Sequence, residues 1–144
     1  MNDIQAQLVH LTSCAMRGIE PEINHMKRYD WEKLFEYAEA HHMKALIYSV
    51  LPKDRDCINM DGALYERWKR DAAFTAIGQI RHVRQVEKVL KKFNESNLPV
   101  ILLKGLVIRD LYPKPELRTM CDADILVRES DMNKVREIMI NEGY

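Results

Sequence analysis

Two aspartates separated by one residue are the side chains of this sequence best suited to chemistry. Asp122 and Asp124 precede Ile125–Val127, an apolar, partly β-branched run typical of a buried strand. Because side chains alternate across a strand, we expect both carboxylates on one face and Ala123 on the other. Neighbouring carboxylates repel each other unless a cation lies between them, and carboxylate oxygens suit Mg²⁺. The pair therefore predicts a magnesium site, with ordinary solvated acids at a sheet end as the alternative.

A glycine turn lies upstream of the aspartates. The apolar run from Pro99 to Leu103 predicts a buried strand, and Lys104-Gly105 leads from it into a short helical segment. A helix N-terminus offers free backbone N–H groups and a partial positive charge, and glycine lets a phosphate approach the backbone closely. We expect Gly105 to form a phosphate cradle, the alternative being a simple turn residue. Lys104 either adds a positive charge to this cradle or only ends the strand in solvent.

Arg118 lies four residues before the first aspartate. Its planar guanidinium can bind two phosphate oxygens at once, which makes it a candidate for substrate binding. The alternative is a structural ion pair with Asp122 or Asp124. A phosphate cradle at one strand end and metal-binding acids on the next strand are the components required for phosphoryl or nucleotidyl transfer.

Several short motifs occur between Pro99 and Tyr144 of this chain. They are Leu102-Leu103-Lys104-Gly105, Leu111-Tyr112-Pro113, Arg118, Asp122-Ala123-Asp124-Ile125-Leu126-Val127 and Gly143-Tyr144. Together they resemble the uncharacterised nucleotidyltransferase family of the polymerase-beta-like nucleotidyltransferase superfamily. The resemblance is looser in the helical N-terminal part, at residues 30–34 and 38–42. It implies transfer of a nucleoside monophosphate from a nucleoside triphosphate to a hydroxyl of a small molecule, a protein or a nucleic acid.

The resemblance also implies roles for individual residues. Asp122 and Asp124 would be the catalytic, Mg²⁺-binding acids, and Lys104, Gly105 and Arg118 would bind the nucleotide phosphates. The superfamily usually has Gly-Ser after its first strand, so the Lys-Gly pair of this chain lacks a hydroxyl. The superfamily also uses a third carboxylate on a later strand, which we expect beyond the last residue of this chain. We therefore expect activity in a longer parent protein and little or none in this chain alone.

A second class of function is compatible with the sequence. In this alternative the chain is a non-catalytic binding or scaffold module, in which the helices dock a partner and the remnant nucleotidyltransferase sheet has no catalytic role.

Hydrophobic periodicity predicts the elements that would position these residues. We expect a mostly helical α+β fold, with a helical bundle over residues 1–97 and the first strand-helix-strand-helix of a nucleotidyltransferase domain over 98–144. Asp30 and Asp61 are the expected N-caps of two helices, the second running to about Phe93, and Ser130 or Asp131 is expected to cap the last helix. Two strands alone leave an exposed sheet edge. This edge predicts either a longer protein or pairing with a second copy.

Composition excludes several classes of protein. The chain has 22 basic and 22 acidic residues, so no global field attracts nucleic acid or anionic lipid. No run approaches the roughly 18 apolar residues that a membrane span needs. Cys14, Cys57 and Cys121 are odd in number and lack metal-ligand spacing, which is typical of free thiols. These features predict a cytoplasmic protein.

Overall fold

The computed structural model describes residues 3–144, which form seven α-helices and one two-stranded antiparallel sheet. The α-helices and 3₁₀ turns together account for 67% of the structure, so the prediction of a mostly helical α+β fold is confirmed. Within residues 3–144, none of the helices combines the length and hydropathy of a membrane span. The elements are α1 (Asp3–Arg17), α2 (Ile23–Met26), α3 (Trp31–Ala40), α4 (Lys44–Tyr48), α5 (Gly62–Glu95), β1 (Val100–Leu102), α6 (Gly105–Ile108), β2 (Ile125–Val127) and α7 (Met132–Asn141), with 3₁₀ turns at Arg55–Ile58, Arg109–Leu111, Pro115–Leu117 and Glu129–Asp131.

Side-chain caps begin two of the helices as the sequence predicts. Asp30 accepts a hydrogen bond from the backbone N–H of Lys33 at the start of α3. Asp61 accepts one from Leu64 at the start of α5. Asp131 occupies the N-cap position of α7, but its side chain forms no capping bond with the described residues. Its backbone is already helical, with φ −98° and ψ −4°, whereas a capping residue normally needs an extended backbone to reach forward.

The N-terminal hydrophobic core is built from helices α1, α3, α4 and the first turns of α5. Trp68 is fully buried at its centre, with ring centroids 6.2 Å from Trp31 and 5.2 Å from Phe35. Both indole N–H groups have partners: Trp68 donates to the Lys44 carbonyl and Trp31 to the Ile58 carbonyl. A buried N–H without an acceptor is costly, so these bonds hold α5 against α4, and α3 against the 3₁₀ turn at Arg55–Ile58, in one arrangement.

Helix α5 connects this core to a second one. It has 34 residues and is therefore about 51 Å long. Val89 and Phe93 from its last turns, together with Leu98, pack against both strands and α7. Residues on both sides of position 97 thus share one cluster. The division of the chain into domains at 97 and 98 stays a prediction.

The sheet buries only one of its two faces. Val100 and Ile125 pack into the second core, whereas the outward pair Ile101 and Leu126 are 60% and 53% exposed. The prediction that both strands are buried was therefore wrong for the outer face, because α5 and α7 cover the inner face alone. The strands run antiparallel, with Leu102 opposite Ile125. The end of β1 and the start of β2 consequently lie at the same end of the sheet.

Candidate active site

Antiparallel pairing of β1 and β2 brings the Lys104-Gly105 turn close to the segment that carries Asp122 and Asp124. The backbone N–H of Leu103 donates to the carbonyl of Asp124 at 3.0 Å, one step beyond the last pair of the sheet. Lys104 and Gly105 follow directly in the chain. The acid-bearing segment (residues 119–124) and the glycine turn (residues 104–105) are therefore neighbours, although about 20 residues of sequence separate Lys104 from Asp124.

The two aspartates lie in the extended segment that leads into β2, rather than within the strand itself. Both are exposed, whereas Ala123 between them is half-buried and lines a cavity of about 190 Å³ against α5. This alternation is that of an extended backbone, with both acids on the solvent side. In the described part of the chain, neither aspartate forms an ion pair. Nor does any group of three or more His, Cys, Asp or Glu within residues 3–144 have the arrangement of a metal site.

Lys104 connects the strand to the following helix through an unusual backbone conformation. Its φ is +37° and its ψ is −100°, a region that residues with a Cβ rarely adopt. Its carbonyl accepts the Ile108 N–H at 2.8 Å, which closes the first turn of α6. Strained backbone of this kind persists only where surrounding contacts hold it, and it occurs often at functional sites. The side chain of Lys104 is exposed beside the turn.

Gly105 allows a close contact inside the protein. A Cβ at this position would lie 2.8 Å from Sδ of Met120 and 3.3 Å from its Cγ. The missing side chain therefore lets Met120, which is buried, pack directly on the turn. This packing role differs from both roles considered from the sequence. The phosphate cradle stays a prediction.

Arg118 bridges the turn and the loop that follows α6. Its Nη1 donates to the Gly105 carbonyl at 3.3 Å, and its guanidinium lies 5.8 Å from the centre of the Tyr112 ring. Across residues 3–144 no ion pair joins it to Asp122 or Asp124, so the structural pairing considered from the sequence is not formed. The other N–H groups of the guanidinium remain available for an anionic ligand.

Gln79 of α5 holds the segment before the aspartates, and sequence reasoning missed it. Its Nε2 donates to the Met120 carbonyl at 3.0 Å, and its Oε1 accepts the Met120 N–H at 3.1 Å. The neighbouring Thr119 hydroxyl donates to the His42 carbonyl at 3.1 Å. These bonds attach the start of the acid-bearing segment to the helices. A glutamine on a long polar helix carries no sequence signal for a partner 41 residues away.

Comparison with known proteins identifies one related family. The sequence profile of the uncharacterised nucleotidyltransferase family matches residues 27–144, from just before α3 to the last residue of the chain. This span covers most of the chain and includes both site motifs and Gln79. Searches of the curated proteins and of the solved structures found no match.

Proposed function

Since the chain belongs to the uncharacterised nucleotidyltransferase family, we propose that its exposed sheet end takes part in transferring a nucleoside monophosphate from a nucleoside triphosphate to a hydroxyl group. In this reaction the acceptor oxygen bonds to the α-phosphorus. The bond from that phosphorus to the bridging oxygen breaks, pyrophosphate leaves, and a base accepts the hydroxyl proton.

One observation carries the proposal. The hydrogen bond from Leu103 to the Asp124 carbonyl joins the segment that carries two exposed aspartates to the strand that ends at the strained Lys104-Gly105 turn, which supports the proposal. A site that must bind both a metal ion and a polyphosphate needs carboxylate oxygens and positive charge side by side. This end of the sheet provides both.

The donor set of the aspartates fits Mg²⁺. This ion usually retains several waters and takes only one or two protein carboxylates, with substrate phosphates as further ligands. Asp122 and Asp124 are exposed and lack a cationic partner among the described residues, so their oxygens are accessible to a hydrated ion. When bound, Mg²⁺ would neutralise phosphate charge during the transfer. The two carboxylates would hold the ion and so align the triphosphate with it.

The basic groups of the site would bind the triphosphate itself. The exposed ammonium of Lys104 supplies a positive charge at the turn. The guanidinium of Arg118, anchored on the Gly105 carbonyl, would donate its remaining N–H groups to phosphate oxygens. These contacts would orient the α-phosphorus without changing its chemistry.

A two-step NMR titration tests the proposal. We expect MgCl₂ to shift the amide resonances of Asp122 and Asp124 first, and ATP added with MgCl₂ to extend the shifts to Lys104 and Gly105. Asp122→Asn and Asp124→Asn should each abolish the magnesium response. Glu129→Gln removes an exposed acid just after β2 and should leave it intact. Identical magnesium shifts in wild type and in the double aspartate variant would refute the assignment.

One observation favours the alternative of a non-catalytic helical module. The N-terminal core is composed entirely of residues between Ile4 and Trp68, so it closes without help from the sheet. A protein that binds neither Mg²⁺ nor ATP in the titration, yet keeps this core folded, would favour the alternative over the transferase.

A further inference from the structure

A cavity of about 560 Å³ opens between the helical bundle and the loop that follows α6. Its walls come from the end of α1, the segment after it and α2, from α4 and the loop after it, and from residues 113–117. Its volume lies within the roughly 300–1,000 Å³ of small-molecule sites. Its lining residues differ from those of the candidate active site, so this inference does not rest on the proposed function.

The inner wall of the cavity is apolar and buried. Met26 is fully buried, and Leu46 and Leu51 are 6% and 9% exposed. Ala15 and Pro21 add further buried apolar surface. Two further apolar side chains of the lining, Ile19 and Ile23, are 49% and 44% exposed, and they favour a ligand with an apolar body because binding removes apolar surface of both partners from water.

Hydrogen bonds hold the cavity walls in place. The Tyr65 hydroxyl donates to the Pro52 carbonyl at 3.0 Å, and the Ser49 hydroxyl donates to the Leu46 carbonyl at 2.7 Å. On the opposite wall, the Leu117 N–H donates to the Lys114 carbonyl at 3.0 Å. A site whose walls are already ordered pays less conformational entropy when a ligand binds.

Three charged residues line the cavity: Glu20, Lys53 and Lys114. None of them forms an ion pair within the described part of the chain. The two lysines come from different segments of the lining, the loop after α4 and the loop after α6, and together with Glu20 they give the lining a net positive charge. We propose that this cavity binds a small molecule with an apolar body and one anionic headgroup, a carboxylate or a phosphate. The headgroup would lie between Lys53 and Lys114.

Probes that share one apolar chain but differ in headgroup test this inference. Octanoate, octyl phosphate and octylammonium would each be titrated into the protein and followed by methyl NMR. We expect octanoate and octyl phosphate to shift the methyl groups of Ile19, Val50 and Leu117, and octylammonium to bind more weakly. Whichever of the two anions binds with the lower dissociation constant shows whether the site prefers a carboxylate or a phosphate headgroup.

Charge variants locate the contact. The two lysines are exposed, so replacing them should leave the fold intact, and far-ultraviolet circular dichroism would verify this. Lys53→Gln and Lys114→Gln should each weaken binding of the anionic probes by up to about fivefold, the upper range for an exposed ion pair. A control that pairs Lys88→Gln with Lys91→Gln, on the exposed side of α5, should change neither affinity.

Three results would overturn the inference. The first is no binding of either anionic probe, and the second is equal affinity for octylammonium. The third is unchanged anion affinity when both cavity lysines are replaced by glutamine.

Discussion

The side chain of Gln79 provides a direct test of how the acid-bearing segment is held. Gln79→Leu removes both hydrogen bonds to Met120 while keeping a side chain of similar size on a good helix-forming residue. A single hydrogen bond contributes about 0.5–1.5 kcal/mol, and a buried group left without its partner costs more. Because Met120 is only 8% exposed, both of its backbone groups would be left largely shielded from water. We expect a loss of roughly 2–3 kcal/mol in the free energy of unfolding.

Two measurements check this magnitude. Urea unfolding gives the global change, and amide hydrogen exchange at Met120 gives the local one. A loss of about 2 kcal/mol corresponds to roughly thirtyfold faster exchange, since about 1.4 kcal/mol is a factor of ten. Gln79→Glu should give an intermediate result, because its carboxylate can accept the Met120 N–H but repels the Met120 carbonyl.

Glu87→Leu is the control, since it introduces the same leucine at an exposed position of α5 outside the lining of the cavity beside Ala123. It should leave Met120 exchange unchanged. If Met120 exchanges equally fast in wild type and in Gln79→Leu, the two hydrogen bonds do not hold the segment and the reasoning is refuted.

Two further predictions follow from local geometry. Gly105→Ala would place a Cβ 2.8 Å from Sδ of Met120 and should lower the free energy of unfolding by about 1–3 kcal/mol, measured in urea. Adding Met120→Ala should recover part of this loss. If the losses in unfolding free energy of the two single variants simply add in the double variant, the contact is contradicted. The hydrogen bond from the Leu64 N–H lowers the pKa of Asp61 below its ordinary 3.8. The stability that the ionised Asp61 contributes is therefore present above pH 3.8, and it is lost as the pH falls through the lower pKa of the folded state. Asp61→Asn keeps an acceptor that does not titrate, so its unfolding free energy should fall less on acidification; superimposable pH profiles of unfolding would argue against the cap.

Local chemistry explains which parts of the fold could be predicted. Asp30 and Asp61 each bond a backbone N–H three residues ahead, so a short stretch of sequence contains both partners. Gly18 ends α1 with φ +66°, a conformation that glycine adopts at little cost. These signals are readable because donor, acceptor and backbone preference lie within one or two turns.

The candidate site could be predicted only in part, for the same reason. The residue types of Asp122, Asp124 and Lys104 indicated their chemistry without any structure. The hydrogen bonds between Gln79 and Met120, and the contact of Met120 with Gly105, join segments far apart in sequence. No periodicity or local propensity encodes such contacts.

The resemblance of its motifs predicted the family, and hydrophobic periodicity predicted the mostly helical α+β class. The tertiary structure decided that β1 and β2 run antiparallel, so that the glycine turn and the aspartates meet at one end of the sheet. It also decided that Ile101 and Leu126 stay exposed, because α5 and α7 cover only the opposite face. Strand direction and face coverage depend on which distant segments pack together, whereas helix boundaries depend on neighbours along the chain.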